Sequence, residues 1–300
     1  MIKIAWHPLY AHPLPEGHRF PMLKYELIPE QLLHEGTITP ENLFFPEPVD
    51  EETILLTHNE DYWKQLRDLT LPAKEQRRIG FPLNSQLVER ELRIMQGTID
   101  GALSALTDGI AFNVAGGTHH SGSNWGEGFC LLNDQAVAAN YLLNNKIVNQ
   151  ILIIDLDVHQ GNGTAEIFND KGNVFTFSMH GDKNFPFRKE ISSLDVPLAD
   201  GVEDDEYLTV LEVNLTKALE QSDPDFVFYL SGVDVLSTDK LGKLSLTKMG
   251  CKERDRMVLE ACKRKSFPLQ ISMGGGYSTD IKDIVDAHCN TYRLAFDLFD

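Results

Sequence analysis

The chain has none of the residue patterns that would tie it to a phosphate backbone, a membrane or a disulfide framework. Its four cysteines, Cys130, Cys251, Cys262 and Cys289, form no C-x-x-C pair and follow no regular spacing. That argues against a cross-linked scaffold, and a reduced, cytoplasmic setting is expected. No apolar stretch approaches the ~20 residues needed to cross a bilayer. The first residues, Met1-Ile2-Lys3-Ile4-Ala5-Trp6-His7, turn polar too early for a signal peptide. Basic residues are in deficit: 27 Lys and Arg against 45 Asp and Glu leave a formal charge of -18. Such a balance argues against a nucleic-acid surface, which needs a Lys/Arg-rich face. It suits a cationic partner, such as a lysine-bearing peptide or a polyamine, drawn in by long-range attraction. Plain solubility accounts for most of that charge. The glycine-rich runs contain neither G-x-x-x-x-G-K-[ST] nor G-x-G-x-x-G, so no nucleotide loop is expected.

What the chain does have is a buried-strand signature running into ionisable residues, Ile151-Leu152-Ile153-Ile154-Asp155-Leu156-Asp157-Val158-His159. A short continuous apolar run marks a strand covered on both faces, as in a parallel sheet. Side chains alternate along a strand, so Asp155, Asp157 and His159 would project the same way. Buried charges are costly unless paired or bound to metal. An Asp/His pair two residues apart can offer an oxygen and a nitrogen to one divalent cation. The same stretch would also suit a helix-capping Asp157 followed by a loop His159.

Around it the hydrophobic pattern alternates between strand and helix. Strands are expected at Ile2–His7, Ile54–His58, Gly109–Ala115, Gln150–Asp157, Val174–His180, Phe226–Val233 and Leu269–Met273. Helices are expected at Phe20–His34, Glu60–Leu69 (capped by Asn59), Ser85–Leu106, Leu131–Leu143 and Asn162–Phe168. Others follow at Asp204–Leu219, Thr247–Lys263 and Asp280–Phe299, with a loop around Pro72–Pro82. With no repeat or linker, residues 1–300 read as one α/β domain, a doubly wound, mostly parallel sheet flanked by helices.

In such sheets ligands bind beyond the carboxyl ends of the strands. Gly116-Gly117-Thr118-His119-His120, Asp157/His159, Ser178-Met179-His180, Ser231-Gly232-Val233-Asp234 and Gly274-Gly275-Gly276-Tyr277 all follow or close strands there. Asp234 is the natural third ligand, giving one nitrogen and two carboxylates with a position left open; a capping or turn role would suit it too. Gly161 and Leu236 stand where bridging carboxylates of a two-metal site would be, so one metal is expected. His119 and His120 form a plausible acid/base pair with Asp155 orienting one of them, unless they are plain loop histidines. Tyr277 can offer a phenolic hydroxyl to a substrate oxygen, or be an ordinary half-buried tyrosine.

These motifs, with Gly128-Phe129-Cys130-Leu131-Leu132-Asn133-Asp134 and Asp234-Val235-Leu236, resemble the zinc-dependent histone deacetylase family over nearly the whole chain. His18-Arg19-Phe20-Pro21 and Asn162 look most like the class IV branch and its bacterial relatives. The resemblance implies the arginase/deacetylase fold and hydrolysis of N-acyl-lysine amides by metal-activated water. An acetylpolyamine or other small amide is the alternative substrate. It implies Zn²⁺ (or Fe²⁺ in the cell) on Asp157, His159 and Asp234, with His119, His120 and Tyr277 at the reacting amide. Gly128, Phe129 and Phe187 would line a tunnel for the lysine stem. Asp155 and Ser178 would help hold a structural K⁺, largely through main-chain oxygens, and Arg19 would guard an internal channel. Two departures from the family stand out. Asn162 replaces an aspartate beside His120, and Thr118 replaces a bulkier residue, which could deepen the pocket for acyl groups longer than acetyl.

Overall fold

The computed structural model describes residues 1–299. In chain order its elements are β1 (Lys3–Ala5), α1 (Lys24–His34), β2 (Leu43–Phe44), α2 (Glu51–Leu55), α3 (Glu60–Arg67), α4 (Ala73–Ile79) and α5 (Ser85–Asp108). β3 (Ile110–Asn113), α6 (Asp134–Asn144), β4 (Ile151–Asp155), α7 (Asn162–Phe168), β5 (Val174–Gly181) and β6 (Leu194–Leu198) come next. α8 (Asp204–Ser222), β7 (Phe226–Leu230), α9 (Lys248–Lys265), β8 (Leu269–Ser272) and α10 (Ile281–Phe299) complete the chain.

The strands form one sheet in the order β2-β1-β3-β8-β7-β4-β5-β6, and every neighbouring pair is parallel. Strands β3, β4, β7 and β8 are buried along their whole length, as expected of strands covered by helices on both faces. The chain runs outward from β4 through β5 to β6, then returns to insert β7 and β8 between β4 and β3. That reversal opens the crevice beyond the carboxyl ends of the central strands, where ligands of doubly wound sheets bind.

Three local expectations fail. Ile54–His58 is not a strand: Asp50 accepts a hydrogen bond from the Thr53 N–H and caps α2, whose first turn carries Glu51 and Glu52. A short apolar run cannot separate strand from helix, and the cap decides it. The Pro72–Pro82 loop contains α4, closed by Gly80 in the left-handed conformation at φ 88°. β6 was missed because it is a half-exposed edge strand containing Pro197, a residue tolerated only at such edges.

Candidate active site

Three of the central strands deliver the Asp157/His159/Asp234 trio and its supports. Just past β4, the carboxylate of Asp157 accepts hydrogen bonds from the His159 N–H (2.9 Å) and the Gly275 N–H (2.8 Å). Past β7, the Oδ1 of Asp234 accepts from the Val158 N–H at 2.9 Å, while its buried Oδ2 receives no well-aligned hydrogen bond among the described residues and has only the His159 ring nearby. The Nδ1 of His159 lies 2.9 Å from Asp157 Oδ1 and 3.2 Å from Asp234 Oδ2. One ligand atom from each of the three residues falls within 4.8 Å of the others. Residue 275 is glycine for a steric reason, since a Cβ there would come 2.6 Å from Asp157 Oδ2.

The electrostatics point the same way. Burial, with Asp157 alongside, pushes the Asp234 carboxyl up to about 7. Burial alone would lower His159, but Asp157 and Asp234 reverse this and raise it to about 10. An orphaned buried carboxylate oxygen is expensive, and protons gather where a cation would settle the charge. One nitrogen and two carboxylates within reach of one point fit a zinc-type ion.

Past β3, the His119 and His120 rings lie with centroids 4.1 Å apart, tilted 49° to one another. Their Nδ1 atoms have different partners. His119 meets Asp155 Oδ2 at 2.7 Å, and His120 meets Asn162 Oδ1 at 2.7 Å. Burial acts downward on both. For His119 the carboxylates of Asp155 and Asp157 overcome it and lift the pKa to about 8. For His120, burial and the neighbouring His119 and His159 hold it well below the usual imidazole range. Glu127 then fixes Asn162: its Oε1 accepts from the Asn162 amide at 2.8 Å, and its Oε2 accepts from Arg78 at 2.7 Å. With its N–H₂ spent on a carboxylate, the Asn162 amide turns its oxygen to the imidazole.

Past β8, Tyr277 donates its backbone N–H to Asp239 at 2.6 Å, and Asp239 also accepts from the N–H groups of Leu241 and Gly242. Its phenol is pushed well above 10 by burial and by the charges of Asp157 and Asp234, so it remains an O–H donor. Below the sheet ends, fully buried Arg254 donates to the carbonyls of Gly232 (2.5 Å) and Leu156 (3.2 Å), tying the β4 and β7 ends together.

These groups meet a cavity of about 330 Å³. Gly128 and Phe129 form one wall. Phe129 is a non-glycine residue at φ 69°, held there by its N–H to the Ile79 carbonyl (2.7 Å) at the end of α4. Its ring packs on Phe20, Phe81 and Tyr277 at 5.1, 5.2 and 5.9 Å. The facing wall is Phe185, edge-on to His120 at 4.9 Å. Lys189 pins the Phe185 loop by donating to the carbonyls of Asn184 and Pro186, both at 2.6 Å.

Thr118, His119, His120, Gly128, Phe129, Asp157, His159 and Tyr277 all line this cavity, with Asp155 and Asn162 behind the histidines. Phe187 also lines the cavity, 93% exposed at its rim, and Phe185 beside it lies edge-on to His120. Arg19 lines the cavity at its outer end. It is exposed, with its guanidinium 5.0 Å from the Phe129 ring, and the buried cation along the cavity is Arg90. Thr118 turns its hydroxyl to Asp134 at 3.0 Å. Ser178 lies in register with Asp155, but its hydroxyl meets His180 at 3.0 Å, leaving main-chain oxygens for any ion there. Sequence reasoning missed Phe185, Glu127, Asp239 and Arg254. Glu127 immediately precedes the Gly128–Asp134 motif and Asp239 follows Asp234-Val235-Leu236, yet nothing in spacing shows whom a loop carboxylate meets.

The profile of the histone deacetylase domain matches residues 18–292. An uncharacterized protein of Picosynechococcus sp. (strain ATCC 27264 / PCC 7002 / PR-6) is 45% identical over 296 residues, covering 99% of both chains. Histone deacetylase 2 of Arabidopsis thaliana is 29% identical over 87% of this chain and 70% of its own. The crystal structure of a histone-deacetylase homologue from Aquifex aeolicus superposes with a TM-score of 0.82 at 25% identity, covering 98% of this chain and 84% of that one. Domain match, relatives and fold agree with a buried metal-competent trio beside two histidines. The chain belongs to the histone deacetylase family and is a deacetylase-type amidohydrolase.

Proposed function

We propose that the protein removes acyl groups from lysine side chains in peptides or proteins, using one Zn²⁺ held by Asp157, His159 and Asp234. The observation that carries this reading is the convergence of those three side chains, one oxygen of them orphaned, at a cavity walled by Phe129 and Phe185. Two aromatic faces suit the four-carbon stem of lysine, and the amide it carries would then lie among His119, His120 and Tyr277.

A divalent ion bound there polarises an amide carbonyl and brings the pKa of water near 7. The chain supplies the rest. His120 donates its Nδ1–H to Asn162, which leaves Nε2 free to take a proton from attacking water. A neutral amide partner favours the neutral imidazole that a base requires. His119 faces the carboxylate of Asp155 instead, and that contact favours the imidazolium that protonates the leaving amine. Tyr277 donates its O–H to the oxygen on which negative charge develops. The products are a free lysine amine and a carboxylic acid. Acyl length follows from the space beside Thr118, whose hydroxyl is held away by Asp134. Acyl groups longer than acetyl fit this reading.

The test is turnover of acetyl- and longer acyl-lysine peptides by zinc-loaded enzyme, repeated after chelation. Release of free lysine that is lost with the metal and restored by zinc supports the reading. Peptides left intact by fully loaded protein contradict it.

A further inference from the structure

The rim of the cavity has the opposite charge sign to the protein as a whole. The chain carries -18 overall, yet Arg19, Arg78, Lys183 and Lys243 all line the cavity and are all exposed. They come from four separate places: the loop before α1, the end of α4, the loop after β5 and the loop after β7. Arg188 stands exposed beside Phe187, on the same loop as Lys183. Asp157, at the metal trio, is the sole carboxylate among the described residues lining the cavity. Acidic groups border this rim without lining the cavity: Asp182 is exposed beside Lys183, and Glu127 pairs with Arg78. Arg19, Arg188 and Lys243 are left as the rim's unpaired cations among the described residues. Glu127 is held by Asn162 as well, and Asp200 reaches Lys183 only at 3.9 Å, both side chains being solvated.

A polycation would meet like charge at this rim, which disfavours both a polyamine and a lysine-rich tail. Carboxylates would meet several solvated cations, each contact worth little alone but together setting partner choice and encounter rate. Resting on the acyl-lysine reading above, we propose that the rim selects acidic polypeptide: the preferred substrate is an acylated lysine flanked by Asp or Glu. The overall negative charge then repels acidic chains everywhere except at the entrance, which orients them.

The experiment uses three peptides identical but for the residues flanking a central acyl-lysine: Asp on both sides, Ser on both sides, or Lys on both sides. Zinc-loaded enzyme should turn over the Asp peptide with a kcat/KM about tenfold above the Lys peptide, mostly through KM. The gap should shrink in 0.5 M NaCl, where screening is nearly complete within about 5 Å. A Lys183→Glu, Lys243→Glu double variant should reverse the order of the Asp and Lys peptides. Because the readout is a ratio within one preparation, partial unfolding cannot imitate it. Equal turnover of all three peptides, or a preference for Lys flanks, overturns the acidic selection and leaves the deacylase reading standing. Turnover of none overturns the deacylase reading and this one with it.

Discussion

The floor and the rim of the cavity are built on opposite principles. At the floor, Asp155, Asp157, His119, His120, His159 and Asp234 are buried, and each has a fixed partner or shares the common ligand point. Strand ends, backbone N–H groups and Arg254 hold them, so their geometry is rigid before any ligand arrives. At the rim, Arg19, Lys183 and Lys243 are solvated and lie on loops. Floor residues can therefore set chemistry, where small displacements cost much. Rim residues can set which chains approach, where each contact contributes little.

Substitutions should separate the two regions sharply. Asp234→Ala removes a floor ligand and should abolish zinc retention together with peptide turnover; metal analysis and a peptide assay on one sample check this. Tyr277→Phe keeps the ring and removes the donor, and should lower kcat by about 10²–10³-fold with KM little changed, as for other oxyanion donors. Glu127→Ala frees the Asn162 amide to rotate. It should reduce kcat by about tenfold, in line with other residues that orient an active group, while metal content stays the same. A normal kcat in this variant would mean that Asn162 needs no anchor.

Acid should act on the scaffold around the floor before it affects the rim. His58 bridges the Gly122 carbonyl and the Asn133 N–H, and burial pushes its pKa down to about 4; His180 is pushed to about 4 in the same way. The unfolded chain takes up these protons near 6.5, the folded chain not until about 4. Their contribution to stability is therefore complete above pH 6.5 and is lost as the pH falls through that interval. Each histidine should steepen the loss by about 1.4 kcal/mol per pH unit, which urea titrations at pH 7.5, 6 and 5 would show. The smallest effect belongs to the rim. Lys183→Ala should change unfolding free energy by no more than about 0.5 kcal/mol.

The same division explains which parts could be read from sequence. The floor could be, because strand periodicity and strand-end position place Asp157, His159, Asp234 and Tyr277 by local rules. The parallel sheet followed from the alternation of apolar runs. The walls could not: whether Phe185 or Phe187 faces His120 depends on a loop conformation fixed by Lys189, which no periodicity encodes. Helix α2 was lost to a short apolar run that suits either structure, and edge strand β6 to its proline and partial exposure. Composition could not describe the rim. Net charge suggested a cationic partner, but a sum over the chain says nothing about where the minority charges collect.

Zinc stoichiometry tests the central claim most directly. Titrating the chelated protein with zinc by calorimetry, with the Asp157→Ala and Asp234→Ala variants in parallel, asks whether one cation sits among the three side chains. The account predicts one tight equivalent per wild-type chain and none in either variant. Retention of that equivalent by both variants, or no tight binding by the wild type, would contradict it.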